Sequence, residues 1–252
     1  MAPVDFINVG NPIVCDFYPS DTEELFQKNL KTQPADWKYR NYPIQYNLNS
    51  MGYRCPAFDQ IDWGKCIVIF GCSMVMGIGL HENDTISSQL CRMTGRPVVN
   101  MGVGGSSMEL SLYNSGILRW NRPRPWAVVH VWTTYDRCTE FTGNTQNNHI
   151  AHGDRSWPSM YYLMINQSAT NQQVRARYQQ VMARSLWLET GTKYFDCSFF
   201  PDTAKLLDCP SMDIIDRARD VVPVAYPPYL AAHPGIQTAE LTAQTIARGL
   251  DI

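Results

Sequence analysis

A chain of 252 residues allows one large domain or two small ones. Apolar residues make up 44%, enough for a substantial core, while a charged fraction of 17% and a formal net charge of -2 leave no basic surplus for a nucleic-acid partner. No apolar run approaches the roughly 20 residues of a membrane helix, and the opening "MAPVDFINVGNPIVCDF" has no basic stretch leading into an apolar block, so neither membrane insertion nor a signal peptide is expected.

Residues 1–60 are irregular and rich in Tyr, Pro and Asn, and read as an extension packed on a core formed by 61–252. Within them "TEELFQKNL" (22–30) reads as a short helix, and "YPIQYNLNSMGYRCPAF" (42–58) as extended chain and turns. From residue 65 the pattern becomes regular. "KCIVIF" is a strand; "NDTISSQLCRMTG" (83–95) is a helix capped by Asn, Asp or Thr and closed by Gly95; "RPVVNMG" is a second strand. "SSMELSLYNSGILRW" (106–120) is a second helix, "WAVVHVWT" (126–133) a third strand, and "NQQVRARYQQVMARSLWLETG" (171–191) a long amphipathic helix. "KYFDCSFF" (193–200) is a fourth strand, "MDIIDRARD" (212–220) one or two helical turns, and "HPGIQTAELTAQTIARGL" (233–250) a final helix. Strands alternating with helices, the strands apolar almost throughout, predict an α/β fold whose parallel sheet is covered on both faces. Ligands of such sheets lie beyond the carboxyl ends of the strands. Ser73, Gly102–Ser107 and Thr133–Arg137 each follow a strand, so three loops should converge on one edge. The polar, aromatic stretch 138–170 is too long for an ordinary connection. It reads either as a lid or partner-binding insertion over that edge or as a plain surface excursion.

The glycines around "IVIFGCSMVMGIGL" (67–80) fail the familiar phosphate signatures. Gly71 and Gly77 are one residue too far apart for a P-loop and no lysine follows, while "GVGGSS" has serine in place of the third glycine of a dinucleotide fingerprint. The G-x-S-x-G elbow also fails, because the second glycine comes two residues late. What remains is Gly71-Cys72-Ser73 with Gly77 four residues on, then "VVNMGVGGSS", "VVHVWTTYD" and "AAHPG" in order, after an upstream "NSMGYR".

This ordered set resembles blocks I, II, III and V of the SGNH, or GDSL, hydrolase family over roughly residues 45–250, and the lead-in resembles that of many bacterial and viral members. The resemblance implies a three-layer α/β/α sandwich on a flavodoxin-like parallel sheet of about five strands. It implies a serine ester hydrolase without cofactor or metal, acting on a small acyl group such as an O-acetyl on a glycan. Ser73 would be the nucleophile, which needs a base because a free hydroxyl is a poor one. His233 would be that base. The oxyanion donors would be the Ser73 N–H, the Gly105 N–H and a side chain after the third strand, with Gly104 one register from Gly105 and both beside the substrate. Three positions depart from the pattern. Cys72 replaces an aspartate that is not the catalytic one; a side chain next to Ser73 should point away. Block III offers no asparagine, leaving Thr134 or Arg137 as donor or no donor at all, a loss of about 2.7–4 kcal/mol. The residue three before His233 is Leu230; Asp220 is the nearest preceding acid, separated by the proline-rich "VPVAYPPY". Three outcomes stand open: Asp220 completes a triad, a backbone carbonyl orients His233 in a dyad, or the site is inactive.

The eight cysteines include no C-x-x-C pair, which argues against a zinc ribbon or a thioredoxin motif. Free thiols in a reducing compartment are expected, although the even count leaves disulfides open. His130 reads as a satisfied core residue, His81 as a loop residue, and the H-x-x-H of His149 and His152 as a weak metal motif without a third ligand. The contrasting reading is a binding or structural module on the same fold with weakened catalysis, since fold does not guarantee chemistry. A cytoplasmic or virion-associated location and a homo-oligomer or larger assembly, such as a viral particle, fit either reading.

Overall fold

The computed structural model describes residues 5–18, 20–142, 145–149, 169–222 and 233–252, with side chains described outside 140–149 and residue 169. In chain order the elements are β1 (Ile13–Cys15), α1 (Glu23–Thr32), β2 (Tyr46–Leu48), β3 (Ile67–Gly71), α2 (Ser73–Met76), α3 (Ile86–Thr94) and β4 (Val98–Gly102). Then come α4 (Met108–Asn121), β5 (Ala127–Trp132), β6 (Cys138–Thr142), β7 (Thr145–His149), α5 (Ala169–Leu188), β8 (Lys193–Ser198), α6 (Pro201–Leu207) and α7 (Ile236–Gly249).

The central sheet has the order β4-β3-β5-β8, all parallel. Gly71 pairs with both Gly102 and Val131, and Val131 with Cys197, so the four strands end at one common edge. Successive side chains alternate between two buried faces. Ile67, Ile69, Val129 and Val131 meet Leu90 of α3 and Ala243 and Ile246 of α7. Val68, Phe70, Val128 and Met101 meet Leu110 and Leu118 of α4 and Trp187 of α5. The result is the three-layer α/β/α sandwich. The N-terminal region packs on both faces, with Tyr39 in the first cluster and Phe6, Ile7 and Tyr53 in the second.

Three expectations need correction, and one helix was not foreseen. The sheet has four strands among the described residues rather than about five. Beyond β8 only a single bridge, Ser198↔Ser211, continues it, with Pro210 offering its carbonyl but no N–H to the ladder. Residues 212–220 form no helix. Met212 N–H is drawn to Ser198 O at 2.8 Å, and Asp216 turns its carboxylate to the N–H groups of Gln237 (3.2 Å) and Thr238 (2.8 Å), capping the start of α7. The sequence reading also missed α6, which has Pro201 at its start and is closed by Asp208 in the left-handed region at φ 52°. Finally, α5 is not amphipathic in the ordinary sense. Its buried side carries Ala176, Gln179, Gln180, Ala183 and Trp187, while Val174, Tyr178, Val181 and Leu188 face outward. The two buried glutamines are satisfied by carboxylates, Gln179 by Glu109 and Gln180 by Asp196.

In the stretch 138–170, β6 and β7 pair as an antiparallel hairpin; the lid or insertion reading otherwise falls on residues outside those described.

Candidate active site

β3 ends at Gly71, Cys72 keeps an extended backbone, and Ser73 is the first residue of α2. Gly77, at φ +77°, closes that short helix by donating its N–H to Ser73 O at 3.1 Å. The missing side chains explain the tight seat. A Cβ on Gly71 would strike Val75, and one on Gly102 would strike the Met76 N–H. Cys72 points into the core beside Ile69 and Val131, away from the sheet edge. Ser73 is nearly buried, at 8% exposure, and its N–H has no acceptor among the described residues.

The Gly71 carbonyl is the hinge between the first and second loops. It accepts the Val103 N–H at 3.0 Å and the Ser106 hydroxyl at 3.2 Å. That fixes the turn carrying Gly104 and Gly105. Gly105 has φ +70°, and a Cβ there would meet no atom within 4 Å, so its backbone borders open space. Asn100 braces the arrangement from below. Its Oδ1 accepts the Gly102 N–H at 3.0 Å, and its Nδ2 donates to Val75 O at 2.9 Å and Ser87 Oγ at 3.3 Å.

The third loop follows β5. Arg137 N–H closes a turn on Thr134 O, and the guanidinium reaches Ser106 O at 3.5 Å, beside Gly105, and faces the Phe200 ring. Arg175 donates to the carbonyls of Tyr135 and Arg137 and pairs with Glu109 at 3.1 Å. Thr134 is half-buried, and Thr133 Oγ1 and Arg137 Nε are buried without a partner among the described residues.

His233 Nδ1 lies 2.5 Å from Asp220 Oδ2, and Asp220 Oδ1 accepts the His233 N–H at 3.2 Å, while no hydrogen bond joins Ser73 Oγ to the imidazole among the described residues. Thirteen residues separate the two in sequence. They meet because Ala218 N–H donates to His233 O at 2.9 Å and Arg217 bridges to Pro234. Asp220 is buried at 4% exposure while the imidazole remains 16% exposed. A carboxylate on Nδ1 sets the ring's orientation and tautomer and leaves Nε2 to act. The acid loop is tied to the turn after the serine, since Arg219 N–H donates to Gly79 O at 3.2 Å. Leu230 and the proline-rich 223–232 lie outside the described residues.

The remaining histidines separate from this cluster. His130 is stacked between Phe70 and Trp132, with centroids at 5.1 and 4.5 Å, and both ring nitrogens lack partners among the described residues. It is a core residue, and burial pushes its pKa down to about 3, outweighing Asp196 and the Ser111 backbone, which raise it. His81 introduces a short 3₁₀ turn at 82–84 and accepts the Asn83 N–H. His152 falls outside the described residues. None of the eight cysteines forms a disulfide among the described residues. No helix among the described residues is long and apolar enough to cross a membrane.

Sequence reasoning overlooked the residues that hold these loops. Arg54, fully buried, donates to the carbonyls of Met76 (3.2 Å), Gly77 (2.7 Å) and Leu80 (2.9 Å) and pairs with Glu82. The "NSMGYR" lead-in was the available signal, because it ends at this arginine.

No family model matches the chain, and no curated protein matches it. Among solved structures, the chain is similar to AlinE4, described as an SGNH-hydrolase family esterase. The identity is 13% and the TM-score 0.38, over 76% of this chain and 97% of that one. It is similar to a putative lipolytic protein of the G-D-S-L family from Desulfitobacterium hafniense DCB-2 at 12% identity and TM-score 0.42, over 74% and 99%. It is similar to TesA at 12% identity and TM-score 0.43, over 74% and 98%. At these scores the likeness carries no argument about chemistry.

Proposed function

We propose that the protein is a serine ester hydrolase of the SGNH type that removes a small acyl group, with an O-acetyl on a glycan as the substrate class to test first. The observation that carries this reading is the His233–Asp220 pair, with Nδ1 2.5 Å from a buried carboxylate and the acid loop hydrogen-bonded to the turn that follows Ser73.

In the proposed mechanism Ser73 Oγ attacks the acyl carbon while His233 Nε2 takes its proton. Asp220 holds the imidazolium through Nδ1. The N–H groups of Ser73 and Gly105 receive the developing oxyanion, with Gly104 lining the same turn and Thr134 or Arg137 adding a side-chain donor. Collapse breaks the ester C–O bond, and the alcohol leaves with the proton from His233. Water then attacks the acyl-enzyme with His233 again as base, which frees the acid and restores Ser73. No metal or cofactor enters either step.

The third loop supports a second reading. It supplies no asparagine, and this favours a catalytically weakened binding or structural module, with a larger assembly such as a viral particle as its setting. Hydrolysis of nitrophenyl acetate against octanoate by wild type and Ser73→Ala separates the two. Turnover that disappears in Ser73→Ala supports the hydrolase, and the chain-length ratio begins to define the pocket. A folded wild type no faster than Ser73→Ala supports the binding module.

A further inference from the structure

We propose that the N-terminal region is a positioning clamp for the acid–base pair, anchored by Asn29 and Asp21; the proposal rests on the esterase reading above. Asn29 is fully buried on α1, and its side-chain amide donates to Arg219 O at 3.2 Å and to Val221 O at 2.8 Å. Those two carbonyls flank Asp220, so one carboxamide grips the backbone on both sides of the proposed acid. A buried amide facing two carbonyls stabilises only this placement of the loop, because moving the loop strands its donors.

Asp21 grips the neighbouring side chain. Its carboxylate, 1% exposed, accepts from Arg219 Nε at 3.0 Å and Nη2 at 2.7 Å, and from the Tyr46 hydroxyl at 2.6 Å. The Tyr46 oxygen in turn accepts the Gly79 N–H at 2.7 Å, while Arg219 N–H holds the Gly79 carbonyl. Gly79 is thus held at both of its polar groups, six residues after Ser73. It has φ +76°, and a Cβ there would lie 2.9 Å from Arg219 N and 3.1 Å from Asp220 Oδ1. The chain Arg219–Asp21–Tyr46–Gly79 therefore sets the spacing between the acid loop and the nucleophile's turn. Removing either partner of such a buried pair would leave an uncompensated buried charge, so Arg219 and Asp21 hold each other in place. Tyr39 lies within the influence of Asp216 and Asp220, so the variants should leave both Tyr39 and Asp216 untouched.

The test follows the low-field proton NMR resonance of the His233 Nδ1–H, identified by its loss in Asp220→Ala, together with kcat and KM for a nitrophenyl ester. The variants are Asn29→Asp, which keeps the shape and replaces the two N–H donors by at most one O–H, and Tyr46→Phe, which removes one hydroxyl. In both, the resonance should move to higher field or vanish by exchange. The expected fall in kcat is about 10- to 100-fold, as a misplacement near 1 Å produces, with KM held within about twofold. In an Asp220→Ala background Asn29→Asp should cost nothing further. A folded Asn29→Asp with the wild-type resonance and wild-type kcat would overturn the clamp, as would full additivity with Asp220→Ala. If Asn29→Asp does not fold, Tyr46→Phe decides by the same two readouts. A wild type that shows the resonance but no turnover would sink the esterase reading while the resonance still judges the clamp.

Discussion

The two sides of the proposed site differ in how far their functional groups are held, although each keeps a buried polar atom without a partner among the described residues, Asn29 Oδ1 on the base side. On the base side His233 Nδ1, both Asp220 oxygens and the Gly79 backbone have partners within the chain. On the oxyanion side Thr133 Oγ1 and Arg137 Nε are buried without partners among the described residues, and Gly105 borders open space. Buried unpaired polar groups are costly, and where a protein keeps them a ligand or a water is the usual reason. Under the proposed function, the contrast assigns the held side to the acid–base pair and the open side to the acyl group.

Mutations can break that contrast. Asp220→Asn, which keeps the shape and alters the hydrogen bond at Nδ1, should lower kcat by on the order of 10³- to 10⁴-fold, as loss of the carboxylate does in serine triads. A fall under about tenfold would mean that the pair is structural. On the other side, Arg137→Gln should lower kcat by up to about 10²- to 10³-fold if the guanidinium is an oxyanion donor. Thr134→Asn, supplying the amide expected in block III, should raise it. If neither substitution changes kcat, the oxyanion is held by backbone alone.

The shared floor of the two sides should respond in stability rather than in chemistry. Gly102→Ala would force its methyl against the Met76 N–H and the Val75 carbonyl carbon, an overpacking cost of about 1–3 kcal/mol, visible as a lower Tm. The smallest effect belongs to Asp216, which caps α7 just past His233. Burial pushes its carboxyl up, but hydrogen bonds from Lys38, Thr238 and Gln237 together hold it below the usual range. With the folded pKa below the unfolded value of about 3.9, its contribution is present above that pH and is lost as pH falls through the folded value. Asp216→Ala should therefore cost about 1 kcal/mol near neutrality in chemical denaturation, with the gap to wild type closing in acid.

The same contrast governs how much could be read without coordinates. The α/β fold, its strands and Ser73 at the end of β3 were legible because apolar runs, caps and Gly71 and Gly77 are local signals. Asp220 was reachable only as the nearest acid before His233. The contacts that bring it there, Ala218 to His233 and Arg217 to Pro234, are long-range and leave no pattern in the chain. Asn29 and Asp21 were invisible for the same reason, since their partners lie 190 and 198 residues away. The helix expected at 212–220 failed because Asp216 serves a neighbouring element instead of its own. The polar buried side of α5 hid in the same way, its glutamines being core residues only because Glu109 and Asp196 face them.

Peptide mass mapping after fluorophosphonate treatment of wild type, Ser73→Ala and Asp220→Asn would locate the nucleophile. The account predicts one adduct, on Ser73, formed rapidly in wild type, slowly in Asp220→Asn and not at all in Ser73→Ala. No adduct on folded wild type, or one formed equally fast without Asp220, would contradict it.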